Sequence, residues 1–279
     1  MNLNDINDFI HINNDALLFI EYMVDKYGNV LLIGSEKAIE ESYPEYHHDY
    51  FYFCLTKATR SLLASNNLAD MRYREDAMVL IRSAYETYLL MANVINNELF
   101  ISNLIIGLML INGEAKYFKN KNGKVDFHNI ILDDKKEPLK YDMSISTLAK
   151  KTFSKFDRPI HKELYKYMSE FLHSDFIGSG NYRTNDDKKY EVKPKSLYVD
   201  VHFFIMYITY LLIQSMHLEY SKYKMYLFNQ IDKNEISRLE EILNILKDHL
   251  FVILDGLDFS MRNPNLKDIM LKRINEYII

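Results

Sequence analysis

Two pairs of polar residues, each four positions apart, are the groups in this chain whose types and spacing could do chemistry. Arg82 and Glu86 lie in a run of residues, Ala77 to Ile95, that is otherwise almost entirely apolar. Ser169 and His173 lie in a second helical pattern further along the chain. A charge on an apolar helix costs several kcal/mol unless it is paired, so each of these groups needs a reason to be there.

The spacing of Arg82 and Glu86 predicts that their side chains meet on one face of a helix. The guanidinium and the carboxylate can then pair, which lowers the cost of burying both. Two interpretations remain open. The pair is a structural ion pair that fixes helix register, or Arg82 contacts an anion or phosphate at the mouth of a groove while Glu86 orients it.

Ser169 and His173 share a face of their predicted helix, and His173 lies at its C-terminal end. The carbonyl end of a helix favours a protonated histidine, so the charge of His173 is expected to change near neutral pH. This residue is therefore the candidate general acid or base, with Ser169 beside it. The alternative is that His173 is a helix cap or a packing residue.

A metal-binding pattern is also present in the sequence. Glu45 and His48, like Glu170 and His173, form a Glu-x-x-His motif, which carboxylate-bridged di-metal bundles use. Such a site also needs a glutamate from each of two further helices, and Glu86 could be one of them. The di-metal bundle is a second alternative. The preferred interpretation has neither a bound metal nor a cofactor.

The segment from Lys116 to Lys166 is locally basic, with 13 Lys or Arg against 7 Asp or Glu in a chain of net charge −5. Aromatic residues, including Phe118, Phe127 and Tyr141, lie among the cations. Cations with aromatics can hold single-stranded nucleic acid through its backbone and bases, although lysine-rich loops also serve solubility. The candidate nucleic-acid contacts are Lys119, Lys121, Lys124, Lys150, Lys151 and Lys155.

Composition favours an all-α protein. The chain has 279 residues, 48% apolar, and only 8 glycines and 5 prolines, too few turn residues for an all-β fold of this length. The single cysteine, Cys54, permits no internal disulfide, which fits a reducing cytoplasm. The acidic N-terminus does not resemble a signal peptide. The apolar run Val199 to Leu218 carries Asp200 and other polar residues, so we expect a buried helix and no membrane span.

The resulting prediction is a multi-helix bundle forming a single domain over residues 1–279, with a Lys-rich loop or hairpin at about 119–142. The apolar periodicity predicts a first helix capped by Asn14, and a long apolar helix that Asp70 opens. Helix is also expected over 98–118, with possible interruptions near Gly107 and Gly113. Asp157 is expected to cap a helix over 159–172. Further helices are predicted over 48–66, 146–153, 197–229, 233–257 and 265–277.

The run from Lys57 to Glu86, followed by Tyr167 to Ser174, resembles a largely uncharacterised bacterial helical family with Arg-x-x-x-Glu and Ser-x-x-x-His motifs. That family looks akin to HEPN-type and abortive-infection proteins, whose typical members are dimeric, metal-independent RNases of toxin and anti-phage systems. The resemblance covers roughly residues 50–180, with the helices of 197–279 packed on it. It implies Arg82, Glu86, Ser169 and His173 as site residues. HEPN nucleases carry Arg and His in one helix, whereas here Arg82 and His173 would have to converge from two.

The leading hypothesis is therefore a cytoplasmic, homo-oligomeric effector of a defence or toxin system that acts on RNA. In it His173 moves protons and Arg82 stabilises charge on phosphorus. The first alternative is a non-enzymatic sensor or partner-protein module in which Arg82 and Glu86 are scaffolding. The chain has no phosphate loop, dinucleotide fingerprint, His-Glu-x-x-His or Gly-x-Ser-x-Gly motif, which excludes the commonest nucleotide-driven, zinc-protease and hydrolase classes.

Overall fold

Nine helices and one small three-stranded sheet make up the part of the chain that the computed structural model describes, which confirms the predicted mostly α-helical bundle with a lysine-rich hairpin. That part comprises residues 3–30, 43–97, 99–132, 137–170, 189, 199–222, 231–257 and 265–276. The helices are α1 Leu3–Tyr27, α2 Tyr43–Asp70, α3 Arg74–Asn96, α4 Phe100–Asn112, α5 Ile145–Lys150, α6 Asp157–Glu170, α7 Val199–Lys222, α8 Lys233–Gly256 and α9 Leu266–Ile274. The strands are β1 Ala115–Lys119, β2 Val125–Leu132 and β3 Leu139–Lys140.

Helix α7 is the centre of the bundle and packs against α1, α2, α3 and α8. A helix that is apolar on all sides must be covered on all sides, and α7 carries large buried side chains such as Phe203, Phe204 and Tyr207. Its 199–221 stretch is the one described helix long and apolar enough to cross a membrane, yet 89% of its most apolar window is buried inside the protein. That burial is compatible with a soluble protein.

Helix α1 begins about eleven residues before the predicted cap at Asn14, so that prediction was wrong. Asn14 faces a neighbouring helix, and its side-chain oxygen accepts a hydrogen bond from Nδ2 of Asn66 on α2 at 2.7 Å. Asn13, also in the helix interior, is buried. Asparagine is common at helix starts, but here it links two helices in mid-span, which local sequence does not reveal.

The connection between α2 and α3 is tight, and the two helices form the most extensive helix–helix contact of the described chain. Asn66 and Asn67 were expected to end α2, but the helix continues to Asp70. Arg72 has a positive φ of 67° and reverses the chain. Helix α3 therefore starts at Arg74 rather than Asp70 and ends at Asn96, as predicted.

The predicted helix over 98–118 is correct only as far as Asn112. Gly113 ends α4 in the left-handed conformation, with φ of 83°, and β1 begins at Ala115. Strands β1 and β2 pair antiparallel around a turn at Gly123, where φ is 75°, as the Asn122-Gly123 pair predicts. The lysine-rich excursion is thus a hairpin that starts four residues earlier than expected and gains a short third strand.

The remaining helices follow the sequence pattern closely. α8 opens with a capping box in which Asp232 and Glu235 exchange side-chain and backbone hydrogen bonds. α5 is capped by Ser144, whose side chain accepts a hydrogen bond from the backbone N–H of Thr147. Asp157, predicted as a cap, is instead the first residue of α6, and its carboxylate accepts hydrogen bonds from Tyr88 and Arg273.

Candidate active site

Arg82 and Glu86 meet on the surface of α3, as their spacing predicts. Nε of Arg82 donates a hydrogen bond to Oε1 of Glu86 at 3.0 Å. The two side chains remain 18% and 30% exposed, although buried residues surround them on α3. The pair is therefore not sealed in the core, and solvent or a ligand can reach it.

Helix α6 supplies the third group of this cluster. Nη2 of Arg82 donates a hydrogen bond to the hydroxyl of Tyr165. The guanidinium carbon also lies 4.1 Å from the centre of the Tyr165 ring, a cation–π contact. Within the described part of the chain, no hydrogen bond occupies Nη1 of Arg82. Nη1 of a positively charged, half-buried guanidinium, with its two N–H groups, is thus left for an anionic ligand.

His161, one helical turn before Tyr165, completes the cluster. Its ring centre lies 4.8 Å from that of Tyr165, and it also stacks on Tyr85, with the ring centres 6.1 Å apart and an interplanar angle of 14°. The contacts of Arg82 and His161 share the Tyr165 ring, so the guanidinium carbon and the imidazole centre are at most about 9 Å apart. We call Arg82, Glu86, His161 and Tyr165 the Arg82 cluster.

The environment of His161 keeps its imidazole neutral near pH 7. Burial lowers the pKa of His161 below its usual value; the charge of Glu86 opposes this shift, and that of Arg82 adds to it. Nδ1 is buried and, among the described residues, has no hydrogen-bond partner. A neutral imidazole accepts a proton through its unprotonated nitrogen, and in this largely buried side chain only Nε2 is open to a substrate, because Nδ1 is sealed from solvent.

Only part of the predicted Ser169–His173 pair falls within the described residues. Ser169 lies one turn after Tyr165, and its hydroxyl donates a hydrogen bond to the Tyr165 backbone carbonyl at 2.5 Å. That hydroxyl is therefore engaged with its own helix. His173 and the side chain of Glu170 lie outside the described part of the chain, so the Ser169–His173 pair is not tested; the described histidine that lies near Arg82 is His161.

The sequence does contain a signal for His161. His161, Tyr165 and Ser169 follow each other at steps of four, and this places them along one side of α6. The HEPN pattern, in contrast, pairs a histidine with an arginine of the same helix. Because Arg82 belongs to α3, its approach to His161 depends on how α3 packs on α6, which spacing within either helix does not encode.

The candidate nucleic-acid lysines occupy two places on the surface. Lys119, Lys121 and Lys124 are exposed at the tip of the β1–β2 hairpin. The second group, Lys150, Lys151 and Lys155, runs from the last residue of α5 to the start of α6 and is also exposed. The second group is closer in the chain to the Arg82 cluster, because α6 begins two residues after Lys155.

A surface cleft of about 460 Å³ opens beside this second lysine group. Its lining contains two lysines, two acids and apolar or amide side chains: Lys155, Phe156, Asp268, Leu271, Lys272, Asn275 and Glu276. Arg82 does not line it. The cleft and the Arg82 cluster are therefore separate sites: the lining of the cleft includes Phe156, directly before α6, whereas His161 and Tyr165 lie inside that helix.

A second arginine, Arg273 on α9, has a different environment. It is fully buried, donates hydrogen bonds to Asp157 at 2.8 Å and Gln214 at 2.6 Å, and contacts the Tyr88 hydroxyl at 3.0 Å. Burial opposes its charge, but Tyr88 and Asp157 together raise the pKa of Arg273. The network joins α3, α6, α7 and α9, so Arg273 is structural. No pattern in the sequence indicates this role, because the partners of Arg273 come from three other helices.

The described residues contain no group of three or more His, Cys, Asp or Glu side chains placed to hold a metal ion. His48, half of one Glu-x-x-His motif, contacts the backbone carbonyl of Asn29 through Nε2 at 3.1 Å. Glu86, the predicted additional ligand, is bound by Arg82. The described residues thus contain no cluster that would support the di-metal hypothesis. The second Glu-x-x-His motif ends at His173, which lies outside the described part of the chain.

No protein-family model, curated protein or solved structure matches this chain. The resemblance to HEPN-type proteins therefore stays a prediction from short motifs. Any function assigned to the chain has to come from the geometry of its own residues, above all from the Arg82 cluster.

Proposed function

We propose that this protein is a cytoplasmic, HEPN-like effector of a bacterial abortive-infection or toxin system, and that it cleaves RNA without a metal ion. One observation carries the proposal: a half-buried Arg82 with an open guanidinium nitrogen lies against Tyr165 and within about 9 Å of a histidine whose pKa is lowered. An anion contact and a proton acceptor are the two groups that metal-free RNA cleavage requires.

The roles follow from the protonation and hydrogen bonding of each group. Neutral His161 takes the proton from a ribose 2′-hydroxyl, and the 2′ oxygen then bonds to the adjacent phosphorus. Nη1 of Arg82 donates to the phosphate oxygens, whose charge grows in the transition state. The bond from phosphorus to the 5′ oxygen breaks, leaving a 2′,3′-cyclic phosphate. The hydroxyl of Tyr165 accepts from Arg82 and therefore keeps its own hydrogen for the leaving 5′ oxygen.

Glu86 acts on Arg82 rather than on substrate. Its hydrogen bond to Nε fixes the direction of the guanidinium, so that Nη1 points away from the pair. The exposed lysines Lys150, Lys151 and Lys155, ahead of α6, supply positive charge that attracts an RNA backbone toward this helix. The effect is local, because the chain as a whole is acidic.

The experiment is an RNase assay on the full chain in EDTA, with a fluorescent single-stranded RNA as substrate. We expect His161→Gln and Arg82→Gln each to lower the cleavage rate by at least about a hundredfold. The matched control is His217→Gln, since His217 pairs with Glu240 at the surface, away from the Arg82 cluster. Because the pKa of His161 lies below its ordinary value of about 6.5, the rate should fall only as pH drops below that value.

His173→Ala tests the histidine that the sequence motif implies. If this variant loses cleavage while His161→Gln retains it, His173 is the base and the assignment to His161 is wrong. If both variants cleave as fast as the wild type, neither histidine moves the proton and the proposal fails. Wild-type protein without cleavage of any RNA in EDTA would contradict it directly.

A non-enzymatic binding module is the second candidate, and the cleft beside Lys155 favours it. A recess of about 460 Å³ with two lysines and an aromatic ring has the size of a small-ligand site, yet it is separate from Arg82. In this case Arg82 and Glu86 are scaffolding. Arg82→Ala would then lower the melting temperature markedly, while the wild type would have no RNase activity.

A further inference from the structure

The cleft beside Lys155 lies where the start of α6 meets α9, two helices that pack against each other. Two of its lining residues, Phe156 and Leu271, are partly buried and also pack on the hydrophobic core. Side chains anchored in this way give the recess fixed apolar walls. Its volume of about 460 Å³ lies within the range of small-molecule sites, about 300–1,000 Å³. The cleft therefore has the size and the rigidity of a binding site.

Two lysines in this cleft have no anionic partner. Lys155 and Lys272 are exposed, and in the described part of the chain neither ammonium group is hydrogen-bonded or ion-paired. Asp268 precedes Lys272 by four residues on α9, the spacing at which opposite charges commonly pair, yet no ion pair joins them. The other acid of the lining, Glu276, lies 3.9 Å from Nη1 of the buried Arg273. Both lysines are thus available to an anionic ligand.

The cleft also presents an aromatic ring and an amide. The ammonium of Lys155 lies 5.2 Å from the centre of the Phe156 ring, so a cation and an apolar surface are adjacent. Asn275 is exposed at the C-terminal end of α9, and among the described residues its side-chain amide has no hydrogen-bond partner. A carboxamide both donates and accepts, which is what the edge of a heterocyclic base requires.

We propose that this cleft binds a nucleoside monophosphate. Lys155 and Lys272 bind the phosphate as point charges. The base lies on the apolar surface of Phe156 and Leu271, and Asn275 pairs with its edge, since a carboxamide matches N6 and N7 of adenine. The inference deepens the second candidate function by naming its ligand class, and it holds whether or not this chain cleaves RNA.

The charges of the cleft favour one phosphate over several. A phosphate monoester carries nearly two negative charges near pH 7, which the two lysines balance. Asp268 lies one helical turn before Lys272, so the further phosphates of a triphosphate would meet a carboxylate. Inorganic phosphate alone would leave the wall formed by Phe156 uncovered. An anion that also carries a planar ring therefore fits the lining better than a bare anion does.

Isothermal titration calorimetry on the full chain in EDTA compares AMP with its two fragments. We expect AMP to bind with a Kd of about 100 μM or tighter, and adenosine and ribose 5-phosphate each to bind at least about tenfold more weakly, because each lacks half of the contacts. ATP should bind no more tightly than AMP. Asp268→Asn should raise the affinity for ATP more than the affinity for AMP, because it removes the repelling carboxylate.

Three variants test the lining. Lys155→Gln/Lys272→Gln should weaken AMP binding at least about tenfold, and Phe156→Leu about fivefold. Leucine keeps an apolar contact with the core while removing the ring. The matched control is Lys57→Gln, since Lys57 is an exposed lysine of α2, which does not line the cleft. Thermal melting of each unliganded variant distinguishes a lost contact from a lost fold, and the two exposed lysines can be replaced without a cavity.

The 5′-phosphorylated end of an RNA presents the same chemistry as a free nucleotide. A 5′-phosphorylated 2′-O-methyl hexanucleotide, which has no 2′-hydroxyl to attack the phosphate, distinguishes the two sources. If it binds at least about tenfold more tightly than AMP, and only with its 5′-phosphate, the occupant is an RNA end; otherwise it is the free nucleotide.

The proposal is overturned if neither AMP nor the hexanucleotide binds with a Kd below about 1 mM. It is equally overturned if Lys155→Gln/Lys272→Gln binds both probes as tightly as the wild type does, because the ligand would then lie elsewhere on the protein. None of these readouts depends on RNase activity, so the nucleotide site and the proposed function fail separately.

Discussion

Replacement of Arg273 by methionine is expected to be among the most destabilising single changes in the described chain. The guanidinium is fully buried, and its partner Asp157 has a side chain only 2% exposed. Methionine fills much of the same volume but leaves the Asp157 carboxylate buried without its cation, although the Tyr88 hydroxyl still donates to it at 2.7 Å. Removal of one partner of a buried ion pair costs about 3–5 kcal/mol.

That loss is large beside the total free energy of unfolding, about 5–15 kcal/mol for a typical protein, and corresponds to a drop of about 6–20 °C in melting temperature. The matched control is Arg82→Met. Arg82 and Glu86 are 18% and 30% exposed, so their ion pair contributes only about 0.5–1 kcal/mol. Urea denaturation at constant pH, followed by circular dichroism, measures both variants.

The double variant Asp157→Asn/Arg273→Met separates an unpaired charge from a packing defect. Asparagine keeps the shape of aspartate and removes the charge, so the double variant should be about 1–3 kcal/mol more stable than the two single losses combined predict. A loss below about 1 kcal/mol for Arg273→Met, or one no larger than that for Arg82→Met, would refute the view that Arg273 is structural and Arg82 is not.

Two further predictions concern the hairpin region. Burial by itself would raise the pKa of Asp142, but hydrogen bonds from Thr147 and Ser144 outweigh it and lower the pKa to about 2. Because the pKa of Asp142 is lower in the folded state than in the unfolded state, this stabilisation exists above about pH 4 and disappears toward pH 2. In urea titrations, Asp142→Asn should lower the free energy of unfolding by about 1–2 kcal/mol at pH 6 and by almost nothing at pH 2. Gly113→Ala should cost about 1 kcal/mol in the same assay, since φ there is 83°, and a neutral result would contradict the left-handed helix end.

The sequence predicted the elements whose causes are local. The Asn122-Gly123 pair predicts the hairpin turn, and the uniformly apolar pattern of α7 predicts a buried helix, because in each case the residue types alone select the structure. Prediction from the sequence failed where a contact between two elements determines the structure. Asn14 resembles a cap but bonds to Asn66 on α2, and no local pattern distinguishes the two uses. The end of α4 was placed too late, because the apolar residues Ala115, Tyr117 and Phe118 follow Gly113 but belong to strand β1.

The two arginines show why a candidate site cannot be predicted from spacing. Arg82 has Glu86 four residues on, and Arg273 has Glu276 three residues on, so both fit the local pattern of a helical ion pair. The two arginines differ in how deeply they are buried and in how many of their donors are already bound. Arg273 is enclosed by partners from three other helices, so its donors are consumed in holding the fold.

Arg82 keeps one guanidinium nitrogen without a hydrogen bond in the described chain and lies beside a histidine that burial keeps neutral. An exposed donor can be given to a ligand, whereas a buried and satisfied donor cannot. Arg82 is therefore identified as the candidate for activity by its partial exposure and its unused hydrogen-bond donors, and not by its residue type. The same reasoning adds His161 to His173 as a histidine to test, because the packing of α3 on α6 brings His161 to the guanidinium.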